Sequence, residues 1–136
     1  MPLLDGYSIA IHVPCQRMPN LPLTWDDVAK SCPALEDILS YLARAHPFAR
    51  LGKYDGNFEL EIGYEGFTPR IGSNPRHGQA DTPSRLPSMT LTTFVTERVD
   101  ETTLEEFINE IRKRHPWEHP VIVIKDARIF VPEDAA

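Results

Sequence analysis

Residues 114–120 read Arg-His-Pro-Trp-Glu-His-Pro, which sets two imidazoles four positions apart around an indole and a carboxylate. Side chains of these types can hold a divalent metal or carry out acid/base chemistry. In the helical His-Glu-x-x-His zinc pattern both histidines share one helix face. Here Pro116 and Pro120 push His115 and His119 toward extended backbone. Four extended residues span roughly 13 Å, too far for both rings to bind one ion at about 2 Å. A metal site would therefore need one of them to join a distant ligand: His46, His77 or a histidine of a neighbouring copy. Glu118 is the carboxylate that desolvation or a nearby cation would tune for acid/base work with His115. The competing structural roles are a helix-capping His115, a loop-bonded His119 and an ion pair from Glu118 to Arg114 or Lys53.

A second group lies in residues 65–87, which contain Arg70, Arg76, His77 and Arg85 among glycines and prolines. Guanidinium groups beside backbone that approaches closely suit a small phosphate or carboxylate ligand. Solvated arginines on a surface loop are the alternative. The segment is neither a Walker-type P-loop nor a dinucleotide fingerprint. Tyr54-Asp55-Gly56 offers a polar pair for a ligand pocket, or a turn in which Asp55 bonds the local backbone. No nucleophile-elbow or Cys/His arrangement is present. Cys15 and Cys32 stand 17 positions apart, form no Cys-x-x-Cys and read as reduced thiols, with a disulfide left open.

These groups must be positioned by a single small domain. The chain has 136 residues, of which 41% are hydrophobic and 25% charged, as expected for one globular core. Fourteen Lys and Arg against twenty Asp and Glu give a net charge of −6, which argues against a nucleic-acid backbone as the partner. No apolar stretch is long enough to span a membrane, and the N-terminus lacks the marks of a secretory signal. A cytoplasmic protein with no membrane partner is expected.

Hydrophobic periodicity supplies the elements. Tyr7, Ile9, Ile11 and Val13 alternate with Ser8, Ala10 and His12, predicting a strand that ends at Pro14. Residues 14–33 are rich in proline, with a helical turn at Thr24–Asp27. Leu35, Ile38, Leu39 and Leu42 predict a helix reaching toward His46, where Pro47 stops it. A second strand places Phe58, Leu60, Ile62 and Tyr64 inward and Glu59 and Glu61 outward. A third covers residues 88–97. Leu104, Phe107, Ile108 and Ile111 predict a helix, started by a Thr102–Glu105 or Thr103–Glu106 capping box and stopped at His115. The run from Pro120 to Pro132, apolar on both faces at first, predicts a central strand. The order strand, helix, strand, strand, helix, strand is that of a ferredoxin-like α+β sandwich, with four antiparallel strands and both helices on one face. Tyr41–Phe48 and Glu110–Trp117 end the two halves alike, each helix closing on His-Pro-aromatic.

Residues 51–78, LGKYDGNFELEIGYEGFTPRIGSNPRHG, resemble the pattern of the small YqfO-type domain, found alone and also inserted in the NGG-interacting-factor proteins. Gly52, Tyr54, Asp55, Phe67, Pro69, Gly72, Asn74, Pro75 and Gly78 fall on it, and His115, Pro116, Glu118 and Pro120 match the family's helix-terminal motif. A similar motif marks CutA, and both groups are similar in fold to the PII signalling proteins. Trp117 stands in place of tyrosine, His119 of glutamate, Gly56 of a frequent histidine and Asn57 of a frequent cysteine. Residues 14–33 look like an insertion relative to the family. The resemblance implies a homo-oligomer, trimeric by analogy, with ligand pockets between subunits and a long loop between the second and third strands that contacts ligand. The expected function is a small-ligand-binding or regulatory module with Tyr54, Asp55, Arg70, Arg76, His77, Trp117 and His119 on the ligand. The alternatives are a small lyase, isomerase or hydrolase using Glu118 and His115, and a divalent-metal binder using His46, His115 and His119.

Overall fold

The alternation of the first segment fixes the whole sheet. In a computed structural model that describes residues 3–75, 78–117 and 119–132, strand β1 spans Leu3–Pro14 and buries Tyr7, Ile9, Ile11 and Val13. It lies between two antiparallel neighbours, β3 (Ser84–Val95) and β4 (Ile122–Phe130), with Ile11 opposite both Leu91 and Ile122. Strand β2 (Glu59–Phe67) pairs with the far side of β3, so the order is β2-β3-β1-β4. This is the ferredoxin-like α+β arrangement, a four-stranded antiparallel sheet, with three helices among the described residues.

Strand β4 is an edge strand, not the central one its composition predicts. Its double apolar character has another cause. Ile122 and Ile124 pack against the core, while Val121 and Val123, on the opposite side of the strand, are 40% and 38% exposed. Strand β2, the other edge, turns Leu60 and Ile62 inward as expected. Phe58 and Tyr64, of the same parity, remain 39% and 70% exposed.

The helices follow their apolar stripes. The turn expected near Thr24 is a full helix, α1 (Trp25–Ser31), whose N-cap Thr24 hydroxyl accepts from the Asp27 amide at 3.2 Å. Val28 and Cys32 join the same buried cluster as Val13 and Ile38, so the 14–33 segment adds to the helical layer. Helix α2 (Leu35–Leu42) buries Leu35, Ile38 and Leu42 and ends one turn before His46. Helix α3 (Glu101–Arg114) buries Phe107 and Ile111. Its N-cap is Asp100, which accepts from the Thr103 amide at 2.7 Å, in place of either threonine box. His115 takes extended geometry (φ −85, ψ 138) because Pro116 follows it.

The layers lock where Phe48 stacks on Phe107 with ring centroids 4.1 Å apart. Arg114 lies over the Tyr41 ring at 4.5 Å and pairs with Asp37 at 3.7 Å, which ties α3 to α2. Gly6 marks a close approach of backbones: a Cβ there would stand 1.7 Å from the Val95 carbonyl oxygen.

Candidate ligand-binding site

Two of the sequence segments singled out for chemistry meet at one end of the sheet. β2 and β3 pair from Glu59–Thr92 to Phe67–Ser84, so the irregular connection shrinks to residues 68–83. At its base Phe67 meets Trp117 edge-on, ring centroids 5.2 Å apart. The β2–β3 loop therefore rises beside the turn that follows α3. Within the loop the Asp81 amide donates to the Pro69 carbonyl at 2.5 Å and the Ser73 amide to Arg70 at 3.0 Å, closing it on itself. Arg70 is exposed in the loop and Arg85 is exposed on β3 at the loop's exit.

His115 is the buried post of this end, only 3% exposed. Its Nε2 stands 2.6 Å from the His12 carbonyl, which only accepts, so Nε2 carries the proton. Nδ1 accepts from the Trp117 amide at 3.0 Å. Both ring nitrogens are engaged in a neutral imidazole, and burial pushes its pKa below the ordinary imidazole range. Its side chain reaches across to β1 and does not cap the α3 carbonyls. It positions Trp117 and joins the turn to β1, and neither nitrogen is left to act as a base.

On the sheet face away from the helices stands a polar group that the sequence reading did not assemble. Glu65, with a side chain 12% exposed, places Oε1 at 3.8 Å from Nδ1 of His12 and in hydrogen-bond contact with the Ser88 hydroxyl. Ser88 also lies 3.2 Å from the Val13 carbonyl. Its single proton serves one of these two acceptors at a time. The signal was present in the alternation: Glu59, Glu61 and Glu65 share the outward parity of β2, and His12 the outward parity of β1. What the sequence lacked was the strand order that sets β3 between them.

The remaining predicted residues fall elsewhere. His46, Tyr54 and Asp55 sit at the opposite end of the sheet. His46 Nε2 accepts from Arg50 at 2.8 Å, its Nδ1 lies 3.6 Å from Asp55, and Asp55 accepts from Arg50 Nε at 2.9 Å. Thr96 donates to the Arg50 carbonyl, which holds this loop near the Gly6 level of β1. His12 and His115 lie six residues further along β1, roughly 20 Å away. His46 and His115 thus do not meet, which separates the expected metal trio. Among the described residues no three His, Cys, Asp or Glu side chains stand close enough to hold an ion. Asp55 bonds the Arg50 side chain and not local backbone, and Tyr54 is 71% exposed. His119 is exposed in the turn near Trp117. Arg76, His77 and Glu118 lie outside the described residues. Gly56, where the resembling family often has histidine, has φ +68, and a Cβ there would meet the Ala43 Cα at 3.2 Å. The Asn57 side chain pairs with Phe94, accepting from its amide at 2.9 Å and donating to its carbonyl at 3.0 Å, and so extends the β2–β3 ladder.

No family model matches the chain, and no curated protein matches it in sequence. Several solved structures are similar to it in fold, among them the following three. A Bacillus cereus protein related to NIF3 superposes with a TM-score of 0.62 at 14% identity over 93% of this chain, which spans only 27% of that protein's length. The periplasmic divalent cation tolerance protein CutA from Archaeoglobus fulgidus gives 0.54 at 11% identity, covering 97% of this chain and 92% of that one. A phage SAM lyase in complex with S-methyl-5'-thioadenosine gives 0.52 at 13% identity, covering 91% and 88%. Among the described residues no helix is long and apolar enough to cross a membrane. The chain is a four-stranded α+β domain with the CutA/PII-like fold, similar in structure both to CutA and to part of a NIF3-related protein.

Proposed function

We propose that the chain is a small-ligand-binding or regulatory module that works as a homo-oligomer, with its ligand at the end of the sheet where Phe67 meets Trp117. That contact carries the reading. It brings the β2–β3 loop, the post-helical turn and the His12–Glu65–Ser88 group around one corner. Two aromatic rings give a wall for a flat apolar moiety, and Glu65 accepts from N–H or O–H groups. Arg70 and Arg85 on the loop side suit a small anionic group, and Arg76, His77 and His119 belong to the same segments. Self-association is supported by the sheet face that carries Val121 and Val123 and by the two open edges, which a neighbouring copy would cover. A trimer is the favoured assembly, by analogy with CutA and PII.

The test is titration of the protein with S-methyl-5'-thioadenosine and, separately, with inorganic phosphate, followed by calorimetry, alongside light scattering. Saturable binding of either probe that Trp117→Ala weakens at least tenfold is the expected result. No saturation by either, or equal binding by Trp117→Ala, removes the site. A particle of 15.4 kDa removes the homo-oligomer.

A second reading, a small lyase, rests on the Glu65–His12 pair and on the likeness to the phage SAM lyase. Acid/base work then falls to Glu65 with His12, and Glu118 is the other candidate carboxylate. Incubation with S-adenosylmethionine tests it. Release of S-methyl-5'-thioadenosine that Glu65→Gln or Glu118→Gln abolishes supports the lyase, and no release by the wild type ends it.

A further inference from the structure

Cys15, at the end of β1, and Cys32, just past α1, carry no motif in the sequence, yet the fold brings them together. Both lie in the buried cluster, 6% and 0% exposed. The Gln16 amide donates to the Ser31 carbonyl at 2.7 Å, which joins the residues that flank the two cysteines. The Cys32 thiol reaches back to the carbonyl of Pro14, the residue before Cys15, at 3.4 Å. These two bonds flank both cysteines and bring the end of β1 against the end of α1, with Cys15 and Cys32 on either side of the contact. Both cysteines are free thiols.

We propose that Cys15 and Cys32 are a redox-active dithiol that closes reversibly to an intramolecular disulfide on reaction with a small-molecule disulfide such as oxidised glutathione. Cys15 is the attacking sulfur. It is the more accessible of the two, and beside it Gln16, Arg17 and Met18 are exposed. A hydrogen bond from the Cys32 thiol holds the Cys15 thiol below its ordinary pKa. The same bond, followed by burial, pushes Cys32 up, so Cys32 stays protonated until the first exchange has occurred. In that first exchange the Cys15 thiolate attacks one glutathione sulfur, forms a mixed disulfide and expels one glutathione thiolate. Cys32 then gives up its proton to that thiolate, attacks the Cys15 sulfur and expels the second glutathione. One glutathione disulfide is reduced to two thiols, and the dithiol loses two protons and two electrons to become the disulfide. The 16–24 segment, clamped by the Arg17–Asp27 ion pair at 2.5 Å, admits the reagent when it opens. The Cys15 amide donates to Pro87, the neighbour of Ser88, so closure would pull on the strand end that carries the candidate ligand site.

The test equilibrates the reduced full-length chain with oxidised glutathione, quenches with acid, alkylates and measures intact mass and peptides. The expected product takes up no alkyl group, is about 2 Da lighter than the dithiol and yields a Cys15–Cys32 cross-linked peptide. Reduced glutathione in excess should restore both alkylation sites. Cys32→Ser should stop at a glutathione adduct on Cys15, whereas Cys15→Ser should react at least tenfold more slowly. If the serine variants do not fold, partially reacted wild type gives the same information, because the mixed disulfide must map to Cys15. Two thiols that stay alkylatable after equilibration, a stable adduct on wild type, or disulfide-linked dimers overturn the proposal.

Discussion

The molecule uses the tripeptide His-Pro-aromatic twice, and the two copies have opposite fates. After α2, His46 is exposed in an ionic cluster with Arg50 and Asp55, while Phe48 is 4% exposed and stacks on Phe107. After α3, His115 is buried and neutral, while Trp117 stays half-buried against Phe67. The local rule is the same in both, since a residue before proline leaves helical geometry. What differs is the neighbour. Behind α2 the aromatic ring finds the apolar face of α3. Behind α3 the imidazole finds the His12 carbonyl of β1. One turn serves packing, and the other holds a polar end of the sheet in place with an aromatic ring left available.

Exchanging or deleting these side chains tests that contrast. The largest effect is expected from Phe48→Ala, which empties the α2–α3 interface and should cost about 3–5 kcal/mol in denaturant unfolding. A loss under about 1 kcal/mol would show that the stack is not structural. His115→Ala should follow at about 2–4 kcal/mol, because it orphans the His12 carbonyl and the Trp117 amide inside the protein. The same variant should weaken the binding of any probe that Trp117→Ala weakens, since His115 sets the indole.

The pH dependence of stability tests the burial of His115. His115 has a folded pKa depressed below its unfolded value, so between the two the unfolded chain binds more protons. Stability should fall as pH drops through the ordinary imidazole range and level off below the folded pKa. Unfolding free energies across that range should lose this slope in His115→Gln, and a slope unchanged in that variant contradicts the assignment. Trp117→Ala should cost only about 1 kcal/mol, the worth of one edge-on aromatic contact, while removing probe binding. His46→Ala, at the exposed turn, should stay within about 0.5 kcal/mol in the same melts.

Much of the fold was legible in single residues. The alternation at Tyr7–Val13 and the stripe at Phe107–Ile111 named their elements because burial on one face imposes a period that the sequence records directly. Strand β4 was misplaced because apolar residues on both faces read alike whether the second face meets another layer or stands open. The cap at Asp100 was missed because two threonines next to it offered the same chemistry. The site was legible in part. The turn at His115 and the loop above Phe67 were both marked, but Glu65, Ser88 and His12 come from three strands and carry no common spacing.

The sequence by itself determined the periods, the stops at prolines, and hence the order of strands and helices. Only the tertiary structure decided which histidine is buried, which carboxylate faces an imidazole, and that Cys15 and Cys32 share one buried cluster. Those outcomes depend on contacts between residues far apart in the chain. Local propensity is blind to such contacts, and strand register sets them all at once, because pairing β1 with β3 and β4 places every side chain on those strands together.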